Sequence, residues 1–188
     1  MVINMDTNES RLRKQEQYHW LNFIWRRSNA LGIRDALYQL KGRKNLVGCE
    51  IGVAFGYHAH AIFRTLDIQK LYLIDPYNDA DGVYPKDTRK SMFRLLKKYM
   101  PRIRFCMCDS DEAVCLIPDS SLDFIYIDGL HSYKQVKKDI NNYVKKLKPG
   151  GIICGHNFEV PGVAKAVVEC LGTDIGTSYY TVDWWKRI

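Results

Sequence analysis

The stretch LVGCEIGVAFG, residues 46–56, decides the fold of this 188-residue chain. Its first six residues are a short, mostly apolar run of the kind that forms a buried strand. Glycines at 52 and 56 bound the turn that follows, and residues 57–66 then have the apolar spacing of a helix. Because glycine allows a sharp bend and a close approach of a ligand to the backbone, the stretch predicts a strand, a ligand-binding turn and a helix.

The same alternation of short apolar runs and amphipathic segments continues to residue 188. The predicted strands are 46–51, 70–74, 103–108, 123–127 and 151–154, followed by two closing strands, 175–180 and 181–185. The predicted helices between them are 57–66, 87–99, 111–116, 133–147 and 163–171. This order predicts an α/β fold with helices on both sides of a mostly parallel seven-stranded sheet, and a hairpin-like ending makes the C-terminal strand antiparallel.

The segment before residue 45 is predicted to be a helical extension. Apolar residues recur at helical spacing within residues 16–40, whereas residues 1–10 are polar and have too few apolar side chains to order. We therefore divide the chain into a helical extension, residues 1–44, packing on the core, and a main domain, residues 45–188. The extension is either a packing cap or part of the wall of a substrate site.

Charge and composition narrow the classes of partner. The net charge of +7 fits an anionic partner such as nucleic acid, but six lysines between residues 134 and 148 lie on one predicted helix whose other face is apolar. That arrangement favours a solvated face over a binding face. No run approaches the roughly 20 apolar residues that span a bilayer, and the start lacks a signal peptide's apolar segment. We therefore expect a cytoplasmic protein with no membrane partner.

Polar side chains follow the second and third predicted strands. Asp75 ends the second strand, where a carboxylate can accept hydrogen bonds from ribose hydroxyls. Asp109 and Ser110 follow the third strand, where they could read an adenine edge, cap the next helix, or do both. Ala54 stands where a dinucleotide-binding Gly-x-Gly-x-x-Gly motif has its second glycine. The pattern therefore favours a nucleoside ligand without a pyrophosphate.

A second group of polar residues follows the fourth and fifth predicted strands. Asp128 and His131 follow the fourth, and His156 and Asn157 follow the fifth. Because the carboxyl ends of parallel strands meet at one edge of a sheet, we expect these side chains to converge. Two imidazoles, a carboxylate and an amide could bind a divalent metal or could supply a base that removes a proton from a hydroxyl.

Together these residues resemble the class I S-adenosylmethionine-dependent methyltransferases. The resemblance is greatest to small O-methyltransferases related to macrocin-type sugar methyltransferases, with catechol O-methyltransferase a more distant relative. It covers residue 46 to the C-terminus and rests on Glu50-Ile51-Gly52 with Gly56, on residues 128–133 with Val136 and Asp139 following, and on the Leu-Lys-Pro-Gly-Gly turn at 147–151. It implies a Rossmann-like three-layer sandwich, with residues 45–188 as a methyltransferase domain that binds S-adenosyl-L-methionine.

The resemblance also implies roles for individual residues. The implied cofactor-binding residues are Glu50, Gly52, Val53, Gly56, Tyr57, Asp75, Pro76, Asp109, Ser110, Asp128 and His131. The implied catalytic residues are Asp128, His131 and His156, and the implied metal ligands are Asp128, His156 and Asn157.

The histidine at 156 leaves the catalytic chemistry open. In metal-dependent relatives that position is acidic, and imidazole disfavours magnesium, which prefers oxygen ligands. Three interpretations follow: a softer metal such as manganese, iron or zinc; no metal, with His131 or His156 as general base; or a lost activity.

The expected function is O-methylation of a small hydroxylated acceptor of the sugar or natural-product type, with or without a divalent metal. One alternative is RNA methylation, for which the positive charge and base stacking on aromatic residues such as Trp20, Trp25, Trp184 and Trp185 would serve. Another is a non-catalytic scaffold that binds the cofactor. The loop at 77–86 is predicted to be a lid, and a homo-oligomer could complete the open side of the site.

Overall fold

The computed structural model describes residues 34–78, 87–179 and 181–188. Most of the predicted helical extension, most of the predicted lid and one residue of the closing segment lie outside these ranges. Within the described part of the extension, helix α1 spans Asp35–Tyr38. Its residues Ala36 and Leu37 are fully buried in the core that they share with the main domain.

Seven strands and six helices make up the described part of the chain. The strands are β1 (Leu46–Ile51), β2 (Ile68–Ile74), β3 (Ile103–Cys106), β4 (Leu122–Ile127), β5 (Leu147–Gly155), β6 (Gly176–Thr177) and β7 (Trp184–Arg187). The helices after α1 are α2 (Tyr57–Thr65), α3 (Thr88–Leu96), α4 (Ser110–Ala113), α5 (Tyr133–Tyr143) and α6 (Pro161–Leu171). Short 3₁₀ turns at Lys97–Arg102, Val114–Leu116 and Val144–Lys146 extend α3, α4 and α5.

The strands form one sheet in the order β3-β2-β1-β4-β5-β7-β6. Strands β1 to β5 are parallel, and β7 pairs antiparallel with both β5 and β6. The predicted fold, a Rossmann-like three-layer sandwich with an antiparallel C-terminal strand, is therefore confirmed. The chain order reverses between β1 and β4, and the crevice at such a reversal is where open α/β sheets bind ligands.

Helices cover both faces of the sheet because successive strand side chains point to opposite sides. In β4, Phe124 and Tyr126 join the cluster covered by α1, α2 and α3, while Ile125 and Ile127 join the cluster covered by α5 and α6. Burial of each large apolar side chain contributes roughly 1.5–3 kcal/mol, so both layers hold the strand ends in place. No helix within the described ranges is long and apolar enough to cross a bilayer.

The predicted boundaries were wrong at several ends. Strand β3 stops at Cys106 rather than 108, which leaves Cys108 and Asp109 in the turn before α4. Strand β5 begins at Leu147 rather than 151, because Leu147 pairs with Leu122 of β4 and the amide of Gly150 donates to the carbonyl of Ile188. The closing strands are shorter than predicted, although they do form the expected antiparallel pair.

Candidate functional site

The turn after β1 is held in place by the carboxylate of Asp75. One oxygen of this buried side chain accepts hydrogen bonds from the amides of Val53 and Ala54 at 2.9 and 3.0 Å. The other accepts from the amide of Tyr77 at 2.9 Å, and the Tyr77 hydroxyl donates to the carbonyl of Ala54 at 2.8 Å. Ala54 and Tyr77 both have positive φ, a strain that surrounding contacts must maintain. Asp75 therefore builds the turn as well as lying beside any ligand on it.

We expect Asp75→Ala to weaken both folding and ligand binding. Three backbone amides lose an acceptor, which we expect to lower the free energy of unfolding by about 2–4 kcal/mol. The affinity for S-adenosylhomocysteine should fall by about 1–3 kcal/mol through the lost charge-assisted bond to ribose. Denaturant unfolding and calorimetry measure the two effects. Asp67→Ala is the control, because the exposed side chain of Asp67 pairs at 3.6 Å with the exposed side chain of Lys44. Unchanged affinity in Asp75→Ala would contradict the assignment of Asp75 to the ribose.

A cavity of about 420 Å³ opens at the carboxyl ends of β1 and β2, next to the loops after β3 and β4. The predicted site residues that line it are Gly52, Asp75, Pro76, Asp109 and Ser110. The remaining lining residues, which sequence reasoning did not assign to the site, are Ile51, Ile74, Asn78, Asp111, Gly129, Leu130, Gln135 and Asp139. Among the described residues, its lining thus has four carboxyl groups and no lysine, arginine or histidine.

Several predicted cofactor residues lie outside the lining of this cavity. They are Glu50, Val53, Gly56, Tyr57, Asp128 and His131. Val53 and Gly56 belong to the turn itself, where Gly56 is the left-handed residue before α2. The roles given to all of these residues stay predictions.

Glu50 forms a buried pair that the sequence did not indicate. Its Oε1 lies 3.2 Å from Nδ1 of His58, the second residue of α2. Burial raises the pKa of Glu50 more than the hydrogen bond and charge of His58 lower it. The other oxygen of Glu50 and Nε2 of His58 have no hydrogen-bond partner among the described residues.

The loop after β3 is joined to α5 by a buried hydrogen-bond network. The Ser110 hydroxyl donates to Oδ1 of Asp139 at 2.6 Å, and the Tyr143 hydroxyl donates to the carbonyl of Ser110 at 2.7 Å. The side-chain amide of Gln135 donates to both Ser110 Oγ and Asp139 Oδ1. Burial raises the pKa of Asp139 despite the hydrogen bonds from Ser110 and Gln135, which lower it. The network fixes one wall of the cavity.

Asp128, His131 and His156 come together after β4 and β5, as the sequence predicts. Oδ1 of Asp128 lies 3.2 Å from Nε2 of His131 and 3.6 Å from Nδ1 of His156. Burial would raise the pKa of Asp128, but its hydrogen bonds to the two histidines outweigh it and lower the pKa to about 2. This depressed pKa stabilises the fold by about 2 kcal/mol at neutral pH, a contribution that is lost as the pH falls from about 4 towards 2.

His156 is placed between an acid and an amide. Its Nδ1 lies 2.9 Å from Oδ1 of Asn157 and also faces Asp128. Burial would lower the pKa of His156, but the hydrogen bond and charge of Asp128 outweigh it and raise the pKa. Because two acceptor oxygens face Nδ1, that nitrogen carries the proton and Nε2 has the lone pair. Nε2 is therefore the nitrogen of His156 that can accept a proton.

Among the predicted metal ligands, His156 contacts both Asp128 and Asn157 directly. The nitrogen of His156 that faces Asp128 and Asn157 is a hydrogen-bond donor to their oxygens, so it would have to lose its proton to ligate a cation. Within residues 34–78, 87–179 and 181–188, no three His, Cys, Asp or Glu side chains group as a metal site. The set of Asp128, His156 and Asn157 as metal ligands stays a prediction.

The fold and the cavity at its switch point define a Rossmann-like methyltransferase domain that uses S-adenosylmethionine. The chain belongs to the family described as Methyltransferase domain, whose model matches residues 49–158. A relative from Sinorhizobium fredii, the protein y4gI, is 32% identical over 117 residues. That match covers 59% of this chain but only 13% of the relative, so the chain spans a small part of that protein.

Solved structures with the same fold carry out different methyl transfers. CalS11, a TDP-rhamnose 3'-O-methyltransferase of calicheamicin biosynthesis, has a TM-score of 0.63 at 18% identity, covering 81% of this chain and 76% of CalS11. An rRNA methylase from Streptococcus thermophilus has a TM-score of 0.57 at 11% identity, covering 80% of this chain and 89% of that protein. At such identities the likeness shows the fold alone, and the acceptor must be argued from the site.

Proposed function

We propose that this chain transfers the methyl group of S-adenosylmethionine to a hydroxyl oxygen of a small acceptor. The observation that carries the proposal is the pairing of two neighbouring features. One is an acidic cavity on the turn after β1, and the other is the Asp128–His156 pair after β4 and β5. Gly129 and Leu130 line the cavity and directly follow Asp128, so the partner of the base lies on a loop that borders the cofactor site.

The charge of the cavity favours this cofactor over nucleotides that carry phosphates. Asp75, Asp109, Asp111 and Asp139 line it without a basic side chain among the residues that the structure describes, although Lys138 pairs with Asp111 from outside the lining. A pyrophosphate placed there would meet like charges, whereas the sulfonium and ammonium groups of S-adenosylmethionine would not. The negative cavity therefore supports adenosine attached to a cationic chain.

The chemistry needs alignment and one proton acceptor. The acceptor oxygen attacks the methyl carbon, the carbon–sulfur bond breaks, and S-adenosylhomocysteine leaves with the electron pair on sulfur. Nε2 of His156 takes the hydroxyl proton, and Asp128 stabilises the imidazolium that results. A raised imidazole pKa suits this role, because the base then has a pKa near the working pH.

Calorimetry followed by an acceptor panel tests the proposal. We expect S-adenosylhomocysteine to bind and NAD and ADP to bind at least about tenfold more weakly, because four carboxyl groups line the cavity. Absence of S-adenosylhomocysteine binding would refute the cofactor assignment.

The acceptor panel contains sugar nucleotides, phenols and a structured RNA, and the release of S-adenosylhomocysteine is measured for each. The same assays with added Mn²⁺ or with EDTA test whether the transfer needs a metal. Methylation of the RNA alone would replace the small acceptor, and binding without any turnover would indicate a scaffold.

A further inference from the structure

Gln135 has its side-chain amide fixed in one orientation on the cavity wall. Nε2 donates to Oδ1 of Asp139 at 3.0 Å and to Oγ of Ser110 at 3.2 Å. The Ser110 hydroxyl gives its only proton to Asp139, so towards Gln135 it is an acceptor. Two acceptors therefore face the same end of the amide, and that end must be the NH₂ group.

The orientation leaves the amide oxygen of Gln135 for a ligand. Both hydrogens on Nε2 are used within the network, and no described group donates to Oε1. Gln135 is half-buried on α5 and lines the cavity beside Ser110 and Asp139. An oxygen held at a cavity wall without a donor is best satisfied by an N–H of the bound molecule.

The side-chain oxygens at this end of the cavity favour a base edge that donates hydrogen bonds. The ribose would lie against Asp75, which places the base towards Asp109, Ser110 and Gln135. The side-chain oxygens available there are acceptors, and the exocyclic amine of adenine has two hydrogens to donate. A 6-oxo purine presents an oxygen at the same place, which would face these acceptors without a proton.

We infer that Gln135 is a specificity-determining residue that selects a 6-amino purine, its amide oxygen accepting a hydrogen bond from the adenine amine. The inference rests on the proposed function, since it requires an adenosine-containing cofactor. The inference assigns base recognition to a residue on α5 as well as to the loops at the strand ends. Asp139 is then a positioning residue, because it fixes the orientation of the Gln135 amide.

The test compares S-adenosylhomocysteine with S-inosylhomocysteine, its 6-oxo analogue, by calorimetry. Wild type should bind the amino compound at least about tenfold more tightly, the discrimination expected when a polar site is left unpaired. Gln135→Met keeps the length of the side chain and removes both polar ends, so the ratio should fall at least about fivefold. Lys134→Met is the matched control on the exposed side of α5 and should leave the ratio unchanged.

Asp139→Asn tests the positioning step separately. Its amide can donate as well as accept, so the Gln135 amide is free to rotate and selectivity should fall without loss of the whole network. Adding Gln135→Met to Asp139→Asn should then lower the ratio little further, because both changes act on one contact. Thermal unfolding establishes that each variant is folded.

The outcomes separate this inference from the proposed function. If wild type binds neither compound, the cofactor assignment fails and the inference with it. If wild type prefers the amino compound but Gln135→Met retains the full ratio, the proposed function stands and the role of Gln135 is refuted. Equal binding of both compounds by wild type would also refute it.

Discussion

Gly52→Ala is expected to destabilise the fold strongly and to abolish cofactor binding. A Cβ at this position would lie 2.1 Å from the carbonyl oxygen of Asp128 and 2.7 Å from the amide of Gly129. Both are backbone atoms, which cannot move aside as a flexible side chain could. The φ of Gly52 is +85°, a region that costs other residues about 1–2 kcal/mol. We expect at least about 3 kcal/mol of lost stability from the two effects combined.

Gly42→Ala is the matched control for this variant. Gly42 has a φ of +91°, but a Cβ there would meet nothing within 4 Å. It therefore carries the cost of the left-handed backbone without the clash, about 1–2 kcal/mol. Urea unfolding and S-adenosylhomocysteine titration compare the two. Equal losses of stability, or retained affinity in Gly52→Ala, would show that the contact with Asp128 is unimportant.

The contact between Gly52 and Asp128 also links the turn after β1 to the loop after β4. The amide of Asp128 donates to the carbonyl of Ile51 at 2.8 Å, one residue before Gly52. The turn and the loop that carries Asp128 thus share a backbone hydrogen bond and a close approach. A change that shifts one should shift the other, so binding and catalysis are expected to fail together in Gly52→Ala.

The sheet could be predicted from the sequence because its strands are short apolar runs between turn residues. The same reasoning placed Asp75, Asp109 and Asp128 at strand ends, since parallel strands bring their carboxyl ends to one edge. In the structure, the strand order β3-β2-β1-β4 brings the strands that these three residues follow into one part of the sheet. Sequence periodicity identified strand positions well and strand ends poorly, as at β3 and β5.

Residues on helices could not be assigned to the site from the sequence. Gln135 and Asp139 occur within an amphipathic run in which polar residues are expected to face solvent, and only the packing of α5 against the α4 turn brings them to the cavity. His58 is similar, because its contact with Glu50 requires α2 to cross β1. Periodicity gives the face of a helix but not which neighbour that face meets.

His156→Ala is expected to lower kcat by about 10²–10⁴-fold, the usual contribution of a general base. Its affinity for S-adenosylhomocysteine should stay close to that of wild type, since His156 does not line the cavity. His60→Gln is the control, because His60 packs on Tyr99 and is not among the residues that line the cavity. A large loss of stability with unchanged kcat per folded molecule would indicate a structural role instead.

The pH dependence of the rate distinguishes His156 from His131 as the base. Asp128 raises the pKa of His156, so activity should fall on the acid side with a midpoint above the ordinary histidine value of 6.5. Asp128→Asn removes the negative charge that favours the imidazolium, so the midpoint should move to lower pH while kcat falls. The side chain of His131 is 45% exposed, and its Nε2 lies 3.2 Å from Oδ1 of Asp128. We therefore expect His131→Gln to shift the midpoint little. NMR titration of the His156 ring follows the same pKa without an acceptor, and an unshifted ring in Asp128→Asn would rule out this pairing.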